Sequence, residues 1–135
     1  MARIAEEKAT TADVKALAKR IREGQAREAQ EMKPFAEGAA AKPQGTSGQQ
    51  HQAHAAEHQA HMRESKNAIE RVRKASGKAV DQAFLDEMAK HHQMAIQMTQ
   101  QTKFDTARLK QMADKMVANQ TKEIDELKRT RQRVS

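Results

Sequence analysis

At 135 residues the chain is long enough for one domain and short for two. It holds no cysteine, which excludes disulfides, thiolate zinc sites and thiol catalysis. Lys and Arg number 25 against 18 Asp and Glu, a formal charge of +7 that permits nonspecific attraction to polyanions. The basic residues are interleaved with acids at helical spacing, however, as in Lys122-Glu-Ile-Asp-Glu-Leu-Lys-Arg129. There is no concentrated basic block and no aromatic interleaving for base stacking, so solvated helix faces are expected and no specific nucleic-acid partner is. Apolar residues make up 37%, much of it alanine, and the aromatics are Phe35, Phe84 and Phe104, so the core must be thin. Strand-favouring residues are scarce and no run alternates apolar with polar, which predicts an all-α fold. No apolar run is long enough to insert in a membrane, and the first residues lack the apolar region of a signal peptide. The expected location is cytoplasmic if the chain is complete, or elsewhere if an export signal has been removed.

In chain order, residues 2–9 predict a short helix broken at Thr10-Thr11-Ala12-Asp13, where Thr11 or Asp13 can cap the next helix. That second helix carries Val14, Leu17, Ala18, Ile21, Gln25, Ala29 and Met32 on one stripe and is expected to end near Pro34 or Gly38. Residues 39–50 read as a linker rich in breakers and polar residues. A third helix, roughly 50–75, has the seam His51, His54, His58, His61/Met62, Ser65, Ile69 and Val72, and Ser76-Gly77 ends it. The fourth, roughly 80–102, begins with Asp81 favourably placed in its first turn. A short connection leads to a fifth, about 106–131, with Leu109, Met112, Ala113, Met116, Val117, Gln120, Ile124 and Leu127 on one stripe. Such a connection makes helices four and five antiparallel neighbours.

The second and fifth helices superpose at an offset of 95 residues, Gln25 on Gln120. Val14, Leu17, Ala18 and Ile21 then meet Leu109, Met112, Ala113 and Met116, and Glu28 meets Glu123. Two amphipathic helices always match in apolar pattern, but a shared Gln on the stripe with Glu three residues later is more than pattern supplies. The chain reads as a duplication: 1–38 is the second half of a first unit, 39–50 the linker, and 51–135 a complete His/Met-rich unit packed with 1–38 into one bundle.

Chemistry concentrates in the fourth helix. Phe84, Met88 and His92 share one stripe, and His91, Met94 and Met98 form a second on its flank. Thioether sulfur is a soft neutral ligand suited to Cu(I) or Ag(I), and imidazole suits copper in both oxidation states, so Met and His without Cys or clustered carboxylates favour copper over zinc. Met112 and Met116 on the antiparallel helix are expected to complete coordination from across the seam. The bland alternative is that methionine fills irregular gaps in an alanine-rich bundle. His51, His54, His58 and His61 line one face of the third helix and offer a second candidate metal surface; a solvated polar face or a pH-sensitive contact are the competing accounts. Gln25 and Gln120 need partners if buried, and a hydrogen bond to His91 or His92 would orient the ring. No catalytic Ser/His/Asp set, phosphate loop or paired Glu-x-x-His signature is present, so the chain is not expected to be an enzyme.

Asp81-x-x-Phe84-Leu85-x-x-Met88-x-x-His91-His92-x-x-Ala95-Ile96-x-Met98, followed by Leu109, Ala113, Met116 and Gln120-x-x-Glu123-Ile124, resembles the domain of unknown function 305 family. The likeness covers 81–128 and, through the repeat, part of 12–35. It implies a ferritin-like antiparallel helical bundle, here of about four long helices, exported to the periplasm or beyond. It also implies copper bound through Met88, His91, His92 and Met98, with Met112 and Met116 in support. Two features depart from the family: no Trp stands near the C-terminus, and no export signal is present. The leading expectation is a protein for copper storage, buffering or tolerance, able to take silver, with a homodimer compatible with the incomplete first unit. The runner-up is a basic helical interaction module without metal, and a weaker third is the relic of a di-metal oxidase.

Overall fold

The structure is a computed structural model. It describes residues 1–40, 48–104 and 106–134, without the side chains of 32–40, 48–55, 57 and 58. The chain forms α1 (Ala2–Lys8), α2 (Ala12–Ala40), α3 (Gly48–Lys74), α4 (Lys78–Gln101) and α5 (Ala107–Val134), and no strand occurs among the described residues. The expected all-α bundle with four long helices is therefore present. Helices α4 and α5 make the most extensive contact, and α1 packs mainly on the start of α2.

Two helix ends differ from expectation. Helix α2 runs through Pro34 and Gly38 to Ala40. Proline removes one N–H from the ladder, and flanking Ala, Glu, Met and Lys are good enough helix formers to carry the helix past that local loss. The linker read over 39–50 thus gives up its ends to α2 and α3, and its middle lies outside the described residues. Gly77 is not simply the stop after α3: it is the residue that opens α4, with φ of 59° and ψ of −141°. Only glycine adopts that backbone at low cost, and it lets the chain reverse within three residues of Lys74.

The core lies toward one end of the bundle. Val14, Leu17 and Ile21 of α2, Val72 of α3, Val80, Phe84, Leu85 and Met88 of α4 and Leu127 of α5 are all buried together, with Ala2, Ala5 and Ala9 closing over them from α1. Alanines on α1 permit this close approach, and burying each large side chain contributes about 2 kcal/mol. Moving along α4 from Met88, the apolar filling gives way to His91, His92, Met94 and an exposed Met98.

Polar contacts fix the helices around that core. Asp81 is fully buried. Its carboxylate accepts hydrogen bonds from the backbone N–H of Thr10 and Thr11, at 2.7 and 3.0 Å, and from both hydroxyls, at 3.0 and 2.9 Å. Helix α2 is thus capped by a carboxylate from α4, where the sequence suggested its own Thr11 or Asp13. Lys8 Nζ donates to the carbonyls of Arg73 and Ala75, placing a cation at the C-terminal end of α3. Arg22 pairs with Glu6, Arg71 with Glu87 and Arg131 with Asp86, each joining two helices across the surface.

Burial alone would raise the Asp81 pKa, but the four donors outweigh it and hold the carboxyl below its ordinary value of 3.8. The lowered value sets the sign: Asp81 contributes its full stability above the ordinary pKa and loses it as pH falls through the folded-state value. Asp81→Asn should cost about 3 kcal/mol, since donors built around a buried charge lose it. Urea denaturation at several pH values should also show a shallower acid limb in the variant. An unchanged limb would remove Asp81 from this role.

Candidate functional site

The two adjacent histidines of α4 point into different environments. Their ring centroids are 6.3 Å apart with planes at 64°, an edge-on arrangement. His92 is 1% exposed, and its Nε2 is hydrogen-bonded to a carboxylate oxygen of Glu123 on α5. The expected partner, Gln120, lies one turn away, buried, and its side-chain oxygen has no hydrogen-bond partner. A carboxylate forms a stronger, charge-assisted bond to an imidazole than an amide does. The signal was in the sequence as the Glu shared by both copies of the repeat, three residues beyond the Gln.

His91 faces the other way, into a groove of about 370 Å³ between α3 and α4 that is also lined by Glu64, Ser65, Ala68, Glu87, Met94 and Gln97. Its Nδ1 is buried without a hydrogen-bond partner. Burial, with a further contribution from the neighbouring His92, lowers the His91 pKa below 6.5, so the ring is neutral at physiological pH. Glu87, the carboxylate in the same groove with the most burial, is held by two bonds from Arg71 at 2.8 and 2.9 Å. Those bonds, then the Arg71 and Lys90 charges, hold its pKa low against the effect of burial.

The remaining candidates distribute as follows. Met94 lines the His91 groove, and Met98, one turn further on the same stripe, is 40% exposed. Met88, expected as a ligand, is 2% exposed and belongs to the hydrophobic core. Met112 and Met116 line a second groove, between α5 and α2, so they do not reach across the seam to His91. His61 is half-buried on α3. Arg71 pairs with Glu87, and ten residues back along α3 and ten forward along α4 the same antiparallel register sets His61 level with Gln97. His51, His54 and His58 lie on α3, with side chains outside the described residues.

The α2/α5 groove, about 440 Å³, has a regular construction. Its lining falls into seven pairs at the repeat offset of 95: Leu17/Met112, Arg20/Lys115, Ile21/Met116, Gly24/Asn119, Arg27/Lys122, Glu28/Glu123 and Glu31/Glu126. Helix α2 starts at Ala12 and α5 at Ala107, the same offset, each preceded by a threonine whose carbonyl accepts the first helical bond at 3.1 Å. Gly24 sits against Glu123, and Asn119 lies beside Glu28, so the two contacts are exchanged when the helices are exchanged. Antiparallel helices with equivalent faces meeting in this way are related by an approximate two-fold axis. Burial, followed by repulsion from Glu123, raises the Glu28 pKa.

A family model described as a domain of unknown function (DUF305) matches residues 1–131. The chain belongs to that family. The match is a single span that takes in α1 and α2 as well as the His-His helix. No curated protein and no solved structure matches the chain.

The different environments of the two rings separate two mutational outcomes. His92→Ala opens a cavity and strips Glu123 of its partner, and should lower stability by about 3 kcal/mol. His91→Ala, at a groove wall, should cost less than about 1 kcal/mol. Chemical denaturation of both variants measures the difference, and equal losses would contradict the division.

Proposed function

We propose that this DUF305 protein binds copper, as Cu(I) in the first instance, through His91 with the thioethers of Met94 and Met98, in the service of copper storage, buffering or tolerance and without catalysis. The observation that carries this reading is His91 itself: a half-buried, neutral imidazole with an unpartnered Nδ1, in a groove shared with a methionine sulfur. A neutral ring keeps its lone pair for a metal at physiological pH. Among the described residues no three His, Asp or Glu side chains gather closely enough to hold a metal ion, and the sulfur in the His91 groove is that of Met94. An imidazole with thioether sulfur favours Cu(I) and Ag(I) over Zn(II) or Mg(II). Glu87, tied to Arg71, adds no free carboxylate that would favour a harder ion. His61 stands at a level where it can add a further donor. The likeness to copper-binding members of the family points the same way, and periplasmic residence would follow from it; no helix among the described residues is long and apolar enough to cross a membrane.

The alternative, a basic interaction module, draws on the +7 charge. Arg20, Arg22, Arg71, Arg73 and Arg131 are each engaged with a carboxylate, which leaves less of that charge to meet a polyanion. Titration with Ag(I) and with Cu(I) under reducing conditions, against a competing chelator, tests the copper reading. His91→Ala and Met94→Leu should each weaken affinity at least tenfold, while Met112→Leu/Met116→Leu should leave it unchanged. Equal affinity in His91→Ala would defeat the assignment. Steeply salt-dependent binding to nucleic acid, with no metal affinity, would establish the alternative.

A further inference from the structure

The groove that holds His91 also holds two carboxylates, and one arginine binds both. Glu64 lines the groove from α3 and Glu87 from α4. Glu87 stands four residues before His91 on the same helix, so carboxylate and imidazole lie one turn apart on one face. Free of other partners, Glu64, Glu87 and His91 would offer anionic oxygen and imidazole nitrogen, a donor set suited to Zn(II) or Ni(II). Arg71 engages these oxygens instead. Its Nε and Nη2 donate to the two oxygens of Glu87 at 2.8 and 2.9 Å, and Nη2 also donates to Glu64 at 2.6 Å. Lys90, also at the groove, brings a second cation to 3.8 Å from Glu87. The two negative charges are thus matched by two positive ones, and the donors left over, the His91 ring and the Met94 sulfur, are neutral.

We propose that Arg71 sets the metal selectivity of the His91 groove: by holding Glu87 and Glu64 it withholds oxygen donors and negative charge from divalent ions, and leaves imidazole and thioether to a soft monovalent one. The inference rests on the copper reading of the same groove and names the residue that enforces it. A divalent ion entering the groove would have to share Glu87 with a guanidinium and would be repelled by Arg71 and Lys90. Cu(I) or Ag(I) carries half that charge and takes neutral nitrogen and sulfur donors, so it meets less of this barrier. Arginine suits the task. Its planar fork covers both oxygens of one carboxylate, reaches a second, and stays charged at any working pH. Arg71 is itself about half exposed, and the apolar core of the bundle does not include it.

The test measures Zn(II) and Ag(I) affinity by chelator competition on the full chain, with helical content checked by circular dichroism. Arg71→Met should bind Zn(II) more tightly than the unaltered chain by roughly tenfold or more, and change Ag(I) affinity by less than about threefold. Adding Glu87→Gln or His91→Ala to Arg71→Met should remove the Zn(II) gain. The remaining histidines are common to the unaltered chain and the Arg71 variants, so the gain is read as a difference. Should Arg71→Met fail to fold, Arg71→Gln takes its place with the same result expected. A folded Arg71 variant without the Zn(II) gain, or with a gain that survives Glu87→Gln, would overturn the proposal. An unaltered chain that binds neither Ag(I) nor Cu(I) would overturn the copper reading by itself, and the Zn(II) comparison would still decide whether Arg71 keeps the carboxylates from a metal.

Discussion

The arrangement depends on a single buried carboxylate. Asp81 stands in the first turn of α4, yet the groups it satisfies belong to the start of α2, some seventy residues earlier in the chain. Four donors converge on it, two backbone and two hydroxyl, and an ionised carboxylate has enough lone-pair capacity to accept them all. An isolated buried charge would be untenable, and unsatisfied N–H groups at a buried helix start would be costly. Each cures the other. The result joins the start of α2 to the start of α4 at a fixed register, and the apolar stripes of α1, α2, α3 and α4 then meet around Phe84. Lys8, reaching the last carbonyls of α3, closes the same end of the bundle from the opposite pole of a helix.

With that end fixed, the composition of α4 explains what happens along its length. Its first half is filled with Val80, Phe84, Leu85 and Met88 and supplies the core. In its second half histidine and methionine take the places of such residues. Adjacent residues on a helix point about 100° apart, so the two rings of a His-His pair inserted at this boundary meet different neighbours. One ring is drawn under α5 to a carboxylate and becomes part of the packing. The other is left at a groove wall, neutral and without a partner for Nδ1.

Much of this was legible in the sequence. The helices follow from periodicity, and the recurrence of Gln25 and Glu28 as Gln120 and Glu123 picks out two helices whose groove lining pairs at the same offset. What escaped was tertiary. Thr11 and Asp13 read as local caps, because nothing in the order of residues says that a distant aspartate will reach the start of α2. Gln120 is the expected partner of the histidine because glutamine is the anomaly on an apolar stripe, whereas Glu123 stands out in the sequence only as the acid that matches Glu28. Met112 and Met116 share a helix face with Gln120, but whether that face turns toward α4 or α2 depends on how the bundle closes. Periodicity gives the stripe and leaves the neighbour undetermined.

The approximate two-fold relation between α2 and α5 gives those methionines a different meaning. In the first copy the same positions are Leu17 and Ile21, both buried core residues. At the equivalent places on α5 an unbranched thioether fits an irregular groove wall that leucine or isoleucine would fill badly. Met94 and Met98 have no such aliphatic counterpart and lie on the stripe of His91. Packing accounts for Met88, Met112 and Met116. It does not account for a methionine stripe running from a groove out to solvent beside an unpaired imidazole, and that residue of unexplained chemistry is what singles out the α3/α4 groove.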